Sequence, residues 1–72
     1  MKARNRILKA ELEKADFAII HAVAWDKAED IVTAQERKAE LMREALKIRD
    51  NDEFLLVTGM TKETARRCYG TE

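Results

Sequence analysis

The sequence predicts an all-α fold, a small domain of three to four helices, and three observations predict it. Among 72 residues there is no proline, and the only glycines are Gly59 and Gly70, so nothing before residue 59 interrupts a helix by backbone chemistry. Ala, Leu, Glu, Lys and Arg dominate the composition, which favours helix. The apolar residues Leu8, Leu12, Ala15, Ile19 and Ala22 recur at alternating spacings of four and three, the spacing of a helix–helix seam. The length implies one domain, spanning residues 1–72.

The stretch Phe17-Ala18-Ile19-Ile20-His21-Ala22-Val23-Ala24-Trp25 is the hub of this reading. Eight of its nine residues are apolar, and the ninth is the only histidine. Wound into a helix it is apolar on every side, so it must be covered on every side. A chain this short buries only about 60% of its unfolded surface and gains from a staple, a metal or a partner subunit. One cysteine makes no internal disulfide, and one histidine with one cysteine makes a poor metal site. A partner subunit remains, so a homodimer is expected. Its interface is assigned to Leu8, Leu12, Ala15, Phe17, Ile19, Ala22 and Trp25.

The charge balance narrows the partners. Fourteen basic and fourteen acidic residues cancel, which argues against a strongly basic nucleic-acid coat and leaves room for a local basic patch. The start Met1-Lys2-Ala3-Arg4 leads into no long apolar run, so no signal peptide is expected. The longest apolar run is too short to span a bilayer. A free cysteine fits the cytosol, and the expected setting is cytoplasmic, without membrane contact.

Taken in order, residues 3–31 read as the first helix. Beside the seam, Phe17, Ile20 and Ala24 form a second stripe, and Trp25, Ala28 and Val32 a third edge. Asp26 ends the seam at its next position. Lys2, Arg4, Arg6 and Lys9 make the first turns basic, against the helix dipole. They read as a solvated terminus or as a contact for phosphate or an acidic partner. Thr33-Ala34-Gln35-Glu36 fits a capping box, so the chain is expected to break near 31–33. A second helix then covers 34–49, burying Leu41, Met42, Ala45, Leu46 and Ile48. Asp50 caps a short helix over 51–58, with Glu53 as its third residue and Gly59 at the left-handed C-cap. A strand over Phe54-Leu55-Leu56-Val57 is the competing reading. Thr61 caps a last helix over 62–69, which Gly70 closes. Met60, Ala65 and Cys68 fall on its inner side.

Glu53 to Arg67 resembles the helix-turn-helix of bacterial and phage DNA-binding proteins. Gly59 stands at the turn, Met60 at the buried turn position, Thr61 at the cap, and Lys62-Glu63-Thr64-Ala65-Arg66-Arg67 opens the second helix. The resemblance implies that Thr61, Lys62, Thr64, Arg66 and Arg67 contact DNA, bases or phosphates, with two half-sites read by a dimer. Two positions depart from the pattern: Leu55 where the family has a small residue, and Thr58 where it has an apolar one. The alternative is a helix-loop-helix end that closes the core and carries a solvated basic face. Leu12-Glu13, Ala22, Trp25 and Ala28 are similar, over residues 10–30, to small enterobacterial regulators of the PerC and ANR type, which also implies gene regulation.

The remaining chemistry is sparse. His21 is expected to be a buried, neutral histidine, with a role as an interface pH switch the sharper option. Cys68 is expected to be a small buried hydrophobe. No glycine-rich phosphate loop and no Asp, Glu or His set with metal spacing is present. No enzyme, catalytic residue, cofactor, metal or small-molecule substrate is expected. The functional expectation is a small DNA-binding transcriptional regulator. The alternative is a helical protein-interaction module or inhibitor, of phage or plasmid type, that binds a larger protein.

Overall fold

The computed structural model describes residues 2–70. Among these residues stand four helices and no strand: α1 (Ala3–Ala24), α2 (Ala28–Ala45), α3 (Asn51–Thr58) and α4 (Lys62–Tyr69). The all-α expectation holds. Phe54-Leu55-Leu56-Val57 is helical, as its flanking cap and glycine require.

The first break lies earlier than expected. α1 ends at Ala24, and α2 runs without interruption through Thr33. The Thr33 hydroxyl donates to the Glu29 carbonyl at 3.0 Å, inside the helix, and makes no capping box. The turn is built instead at Trp25-Asp26-Lys27. Asp26 adopts the left-handed conformation (φ 53°). The Asp26 amide donates to the Val23 carbonyl and the Lys27 amide to the Ala22 carbonyl. This pair of bonds is a Schellman closure, with aspartate where glycine is usual. Glu29 and Asp30 then lie in the first turn of α2, where their charge suits the positive end of the dipole. α2 also ends sooner than the expected residue 49. Leu46 to Ile48 curl into a tight turn, with the Lys47 and Ile48 amides donating to Glu44 and Ala45.

So short a turn folds α1 and α2 into an antiparallel hairpin. The seam Leu8, Leu12, Ala15 and Ala22 is buried in this hairpin, facing Ala34, Leu41, Met42 and Ala45. Ion pairs span its two legs: Arg4 to Glu44 at 2.7 Å, Arg37 to Glu11 at 3.3 Å and Lys38 to Asp16 at 2.6 Å. α3 and α4 fold across the open end of the hairpin. There Phe54, Val57 and Ala65 join Leu8, Leu12, Leu41, Met42 and Ala45 in one core, with Leu46, Ile48, Met60 and Tyr69 packed on it.

The two short helices have the caps the sequence predicts. The Asp50 carboxylate accepts the Asp52 and Glu53 amides at 2.9 and 3.2 Å. Gly59 is left-handed, φ 75°. Thr61 accepts the Thr64 amide at 3.3 Å. Inside α4, however, the inward positions are Ala65 and Tyr69, and Cys68 is exposed. Helical geometry decides this: position i+4 lies about 40° from Ala65 and position i+3 about 60°. The larger Tyr69 takes the closer place.

Candidate functional site

The two ends of the hairpin differ in what covers them. At the base, α3 and α4 supply a second layer. At the tip, residues 15–34, the two legs lie side by side and only small residues separate them. Ala15, Ala22 and Ala34 are buried there, and Ile19 is half-buried. Alanines let the legs close tightly, but they leave no interior for larger side chains. The large apolar residues of the hub therefore point outward: Phe17 is 69% exposed, Ile20 66% and Trp25 66%, with Val23 and Val32 also exposed.

The residues assigned to an interface thus divide. Leu8, Leu12, Ala15 and Ala22 are used up between α1 and α2 of the same chain, so they are not a surface for a partner. Ile19 is half-covered beside Gln35, Lys38 and Tyr69. Phe17 and Trp25 remain open. The Phe17, His21 and Trp25 rings form a ladder along α1, successive centroids 6.2 and 6.1 Å apart. His21 is exposed within this ladder, contrary to the buried position expected for it. One flank of the ladder drops into a groove of about 400 Å³, floored by Ala18, Ala22 and Ala34 and edged by Asp30 and Thr33.

The C-terminal pair of helices is the second candidate. Gly59, Met60 and Thr61 join α3 to α4 in three residues. Thr58 stitches this turn: its hydroxyl donates to the Phe54 carbonyl at 2.8 Å and accepts the Met60 amide at 3.3 Å. That bond explains a threonine where the resemblance leads one to expect an apolar residue. Leu55 is exposed and lines a groove of about 570 Å³ between α3 and α4, with Thr61, Lys62 and Arg66 across from it. Thr61, Thr64, Arg66 and Arg67 are exposed on α4. Several of these groups already have partners. Lys62 donates to the Arg49 carbonyl at 2.9 Å, Thr61 and Thr64 share a hydroxyl bond of 3.0 Å, and Arg67 meets Glu63 at 3.3 Å. The outward face of α4 thus carries mixed charge.

The basic start of α1 is partly neutralised as well. Arg4 and Lys47 both reach Glu44, at 2.7 and 3.2 Å. Those bonds, Lys47 foremost and then Arg4, hold the Glu44 carboxyl below the usual carboxylate range. Across the hairpin, the hydrogen bond to Asp16 holds the Lys38 ammonium above the usual lysine range, against the opposing effect of its partial burial.

Two structural contacts were missed by sequence reasoning. Asn5 is buried, and its amide donates to the Glu53 carboxylate, fastening the start of α1 to the first turn of α3. The signal was present: Asn5 continues the Leu8–Leu12–Ala15 spacing one step backwards, as a polar residue on an apolar seam. Lys38 lies on the Ala34–Leu41–Ala45 line and is half-buried, a charged residue on an otherwise apolar face. Among the described residues no group of three His, Cys, Asp or Glu side chains is placed to hold a metal ion, and no helix is long and apolar enough to cross a membrane. No protein-family model, curated protein or solved structure matches the chain.

Proposed function

We propose that this chain is a small helical protein-interaction module that docks through the tip of its α1–α2 hairpin. The observation that carries this reading is the group of large apolar side chains around the outer face of α1, Phe17, Ile20 and Val23 with Trp25 at its end, left exposed where the rest of the fold provides no second layer. Scattered apolar residues on a surface are ordinary, but a contiguous group is the mark of a binding surface. Phe and Trp are also the residue types that anchor interfaces, since they bring large area at small entropy cost. The exposed Cys68 thiol fits a reducing compartment such as the cytoplasm.

Site-specific photo-crosslinking in the producing cell tests this. A photoreactive residue at Ile20 or Trp25 is expected to give a discrete crosslinked band. The same group at Arg43, exposed at the base of the hairpin, is expected to give none. Absence of any band from both tip positions would sink the proposal.

A second reading has its own supporting observation. Gly59 and the Thr61 cap launch α4 outward with Thr64, Arg66 and Arg67 exposed, which is the placement DNA contact requires. In this reading the module is a DNA-binding transcriptional regulator. Duplex binding that weakens steeply with salt, and that a Lys62→Ala, Arg66→Ala, Arg67→Ala variant loses, is the result it expects. No binding at low salt by the folded protein rejects it.

A further inference from the structure

We infer that the occupant of the hairpin tip is a second copy of this chain, the two tips packing into a four-helix bundle. The inference rests on the reading of the tip as a docking surface and adds the identity of the partner.

The area argument comes first. A folded monomer of 8.3 kDa is expected to expose about 4,600 Å². This chain exposes 5402 Å². The excess, about 800 Å², is what one partner contributes to an interface of standard size. The shape agrees. A compact domain of this length has a radius of gyration of about 11 Å, and this one has 12.5 Å. Both quantities describe a chain more open than a compact monomer of its length.

The architecture says where that layer belongs. Stable domains bury apolar faces between at least two layers. The base of the hairpin has its second layer in α3 and α4, and the tip has none. Two tips laid face to face give each α1 leg a neighbour across the interface, as in a four-helix bundle. In a two-fold arrangement the same surface serves both sides, so one surface with both anchors and a recess suffices. The tip has both. Phe17, Ile20 and Trp25 are the anchors, and the groove floored by Ala18, Ala22 and Ala34 is the recess, edged by Phe17 and His21, with Ile20 on the far flank of Phe17.

Charge permits the pairing. The chain has equal numbers of acidic and basic residues, so two whole copies carry no net charge. At the tip itself the charge is acidic: Asp26, Glu29 and Asp30 stand against Lys27, with Asp16 bound to Lys38, so pairing of two tips is expected to tighten as salt screens these carboxylates.

The experiment is the mass of the purified chain by sedimentation equilibrium, with Trp25 emission followed on dilution. The wild type is expected at twice its 8.3 kDa chain mass, with Trp25 emission shifting to the red as the dimer dissociates. Ile20→Asp and Phe17→Ser alter exposed side chains and so are expected to keep their helical circular dichroism. Each is expected to weaken the dimer by at least about tenfold. Leu56→Asp, exposed on α3 away from the tip, is expected to leave the dimer intact. A dimer that Ile20→Asp and Phe17→Ser do not weaken overturns the inference, because pairing then uses another surface. A wild type that stays monomeric, with solvent-like Trp25 emission at every concentration, also overturns it. If in that case photo-crosslinks from Ile20 or Trp25 still give a discrete band, the interaction module stands with a different partner. If they give none, both readings fall together.

Discussion

Asn5 and Glu53 hold the start of α1 against α3, and among the described residues one amide–carboxylate bond is the only polar link between the two helices. Truncating one partner of a buried bond to a charged group removes the bond and leaves the other group poorly satisfied. Asn5→Ala is therefore expected to cost about 1.5 kcal/mol by urea denaturation. An Asn5→Ala protein as stable as wild type would show that the contact does not matter. The charged residues at this scale give a pH dependence with a definite sign. Glu44 has a lower pKa folded than unfolded, through Lys47 and then Arg4. Its contribution is thus present above the ordinary carboxyl value and fades as pH falls through the lowered one. The gap in melting temperature between wild type and Glu44→Gln is expected to narrow only as pH falls below the ordinary carboxyl range and on through the lowered value. Lys38 works in the opposite sense. Its raised pKa makes the Asp16 pair fully effective below the ordinary lysine value and lost as pH climbs through the raised one.

Each helix boundary that the sequence made legible is one that local chemistry decides. Asp50, Gly59 and Thr61 act on backbone groups two to four residues away, so α3 and α4 could be bounded correctly from the chain alone. The α1–α2 turn was misplaced because its signal was weaker than a decoy. Thr33 and Glu36 satisfy the capping-box pattern, yet a threonine inside a helix can return its hydroxyl to the carbonyl four residues back, as it does here to Glu29. The actual turn uses an aspartate in a conformation usually given to glycine. The one hint was Asp26 falling on the seam. The difference between the two turns can be measured. A non-glycine residue in the left-handed region is strained by about 1–2 kcal/mol, with aspartate among the more tolerant. Asp26→Gly is thus expected to raise stability by roughly 0.5–1 kcal/mol. Gly59→Ala, at φ 75°, is expected to lower it by about 1–2 kcal/mol. A Cβ at Gly59 meets nothing within 4 Å, so the effect would be backbone strain alone. Opposite signs at the two turns are the diagnostic result; a loss at both would refute the account of Asp26.

At the scale of the molecule, the hub of the sequence demanded cover, and the fold supplies it only for one face. The demand was legible because Phe17 to Trp25 is apolar on all sides. The source of the cover was not, since periodicity cannot say whether a seam closes on the same chain or on another. Leu8, Leu12, Ala15 and Ala22 close on α2; Phe17, Ile20 and Trp25 do not. If a second copy supplies the missing layer, folding and association are one process, and stability depends on concentration. For a dimer that unfolds to two chains, a tenfold rise in concentration adds about 0.7 kcal/mol per chain. In a domain of this length that moves the melting temperature by about 3–6 °C. Calorimetry of the wild type from about 10 to 100 µM is expected to show that rise, while Ile20→Asp melts at one temperature throughout. A partner of any other kind leaves the purified chain without a concentration dependence, so a flat wild-type series would reject self-pairing at the tip. A series that rises equally in wild type and Ile20→Asp would place the pairing elsewhere on the molecule. Only a rise that the tip substitution abolishes ties the exposed face of α1 to the stability of the whole.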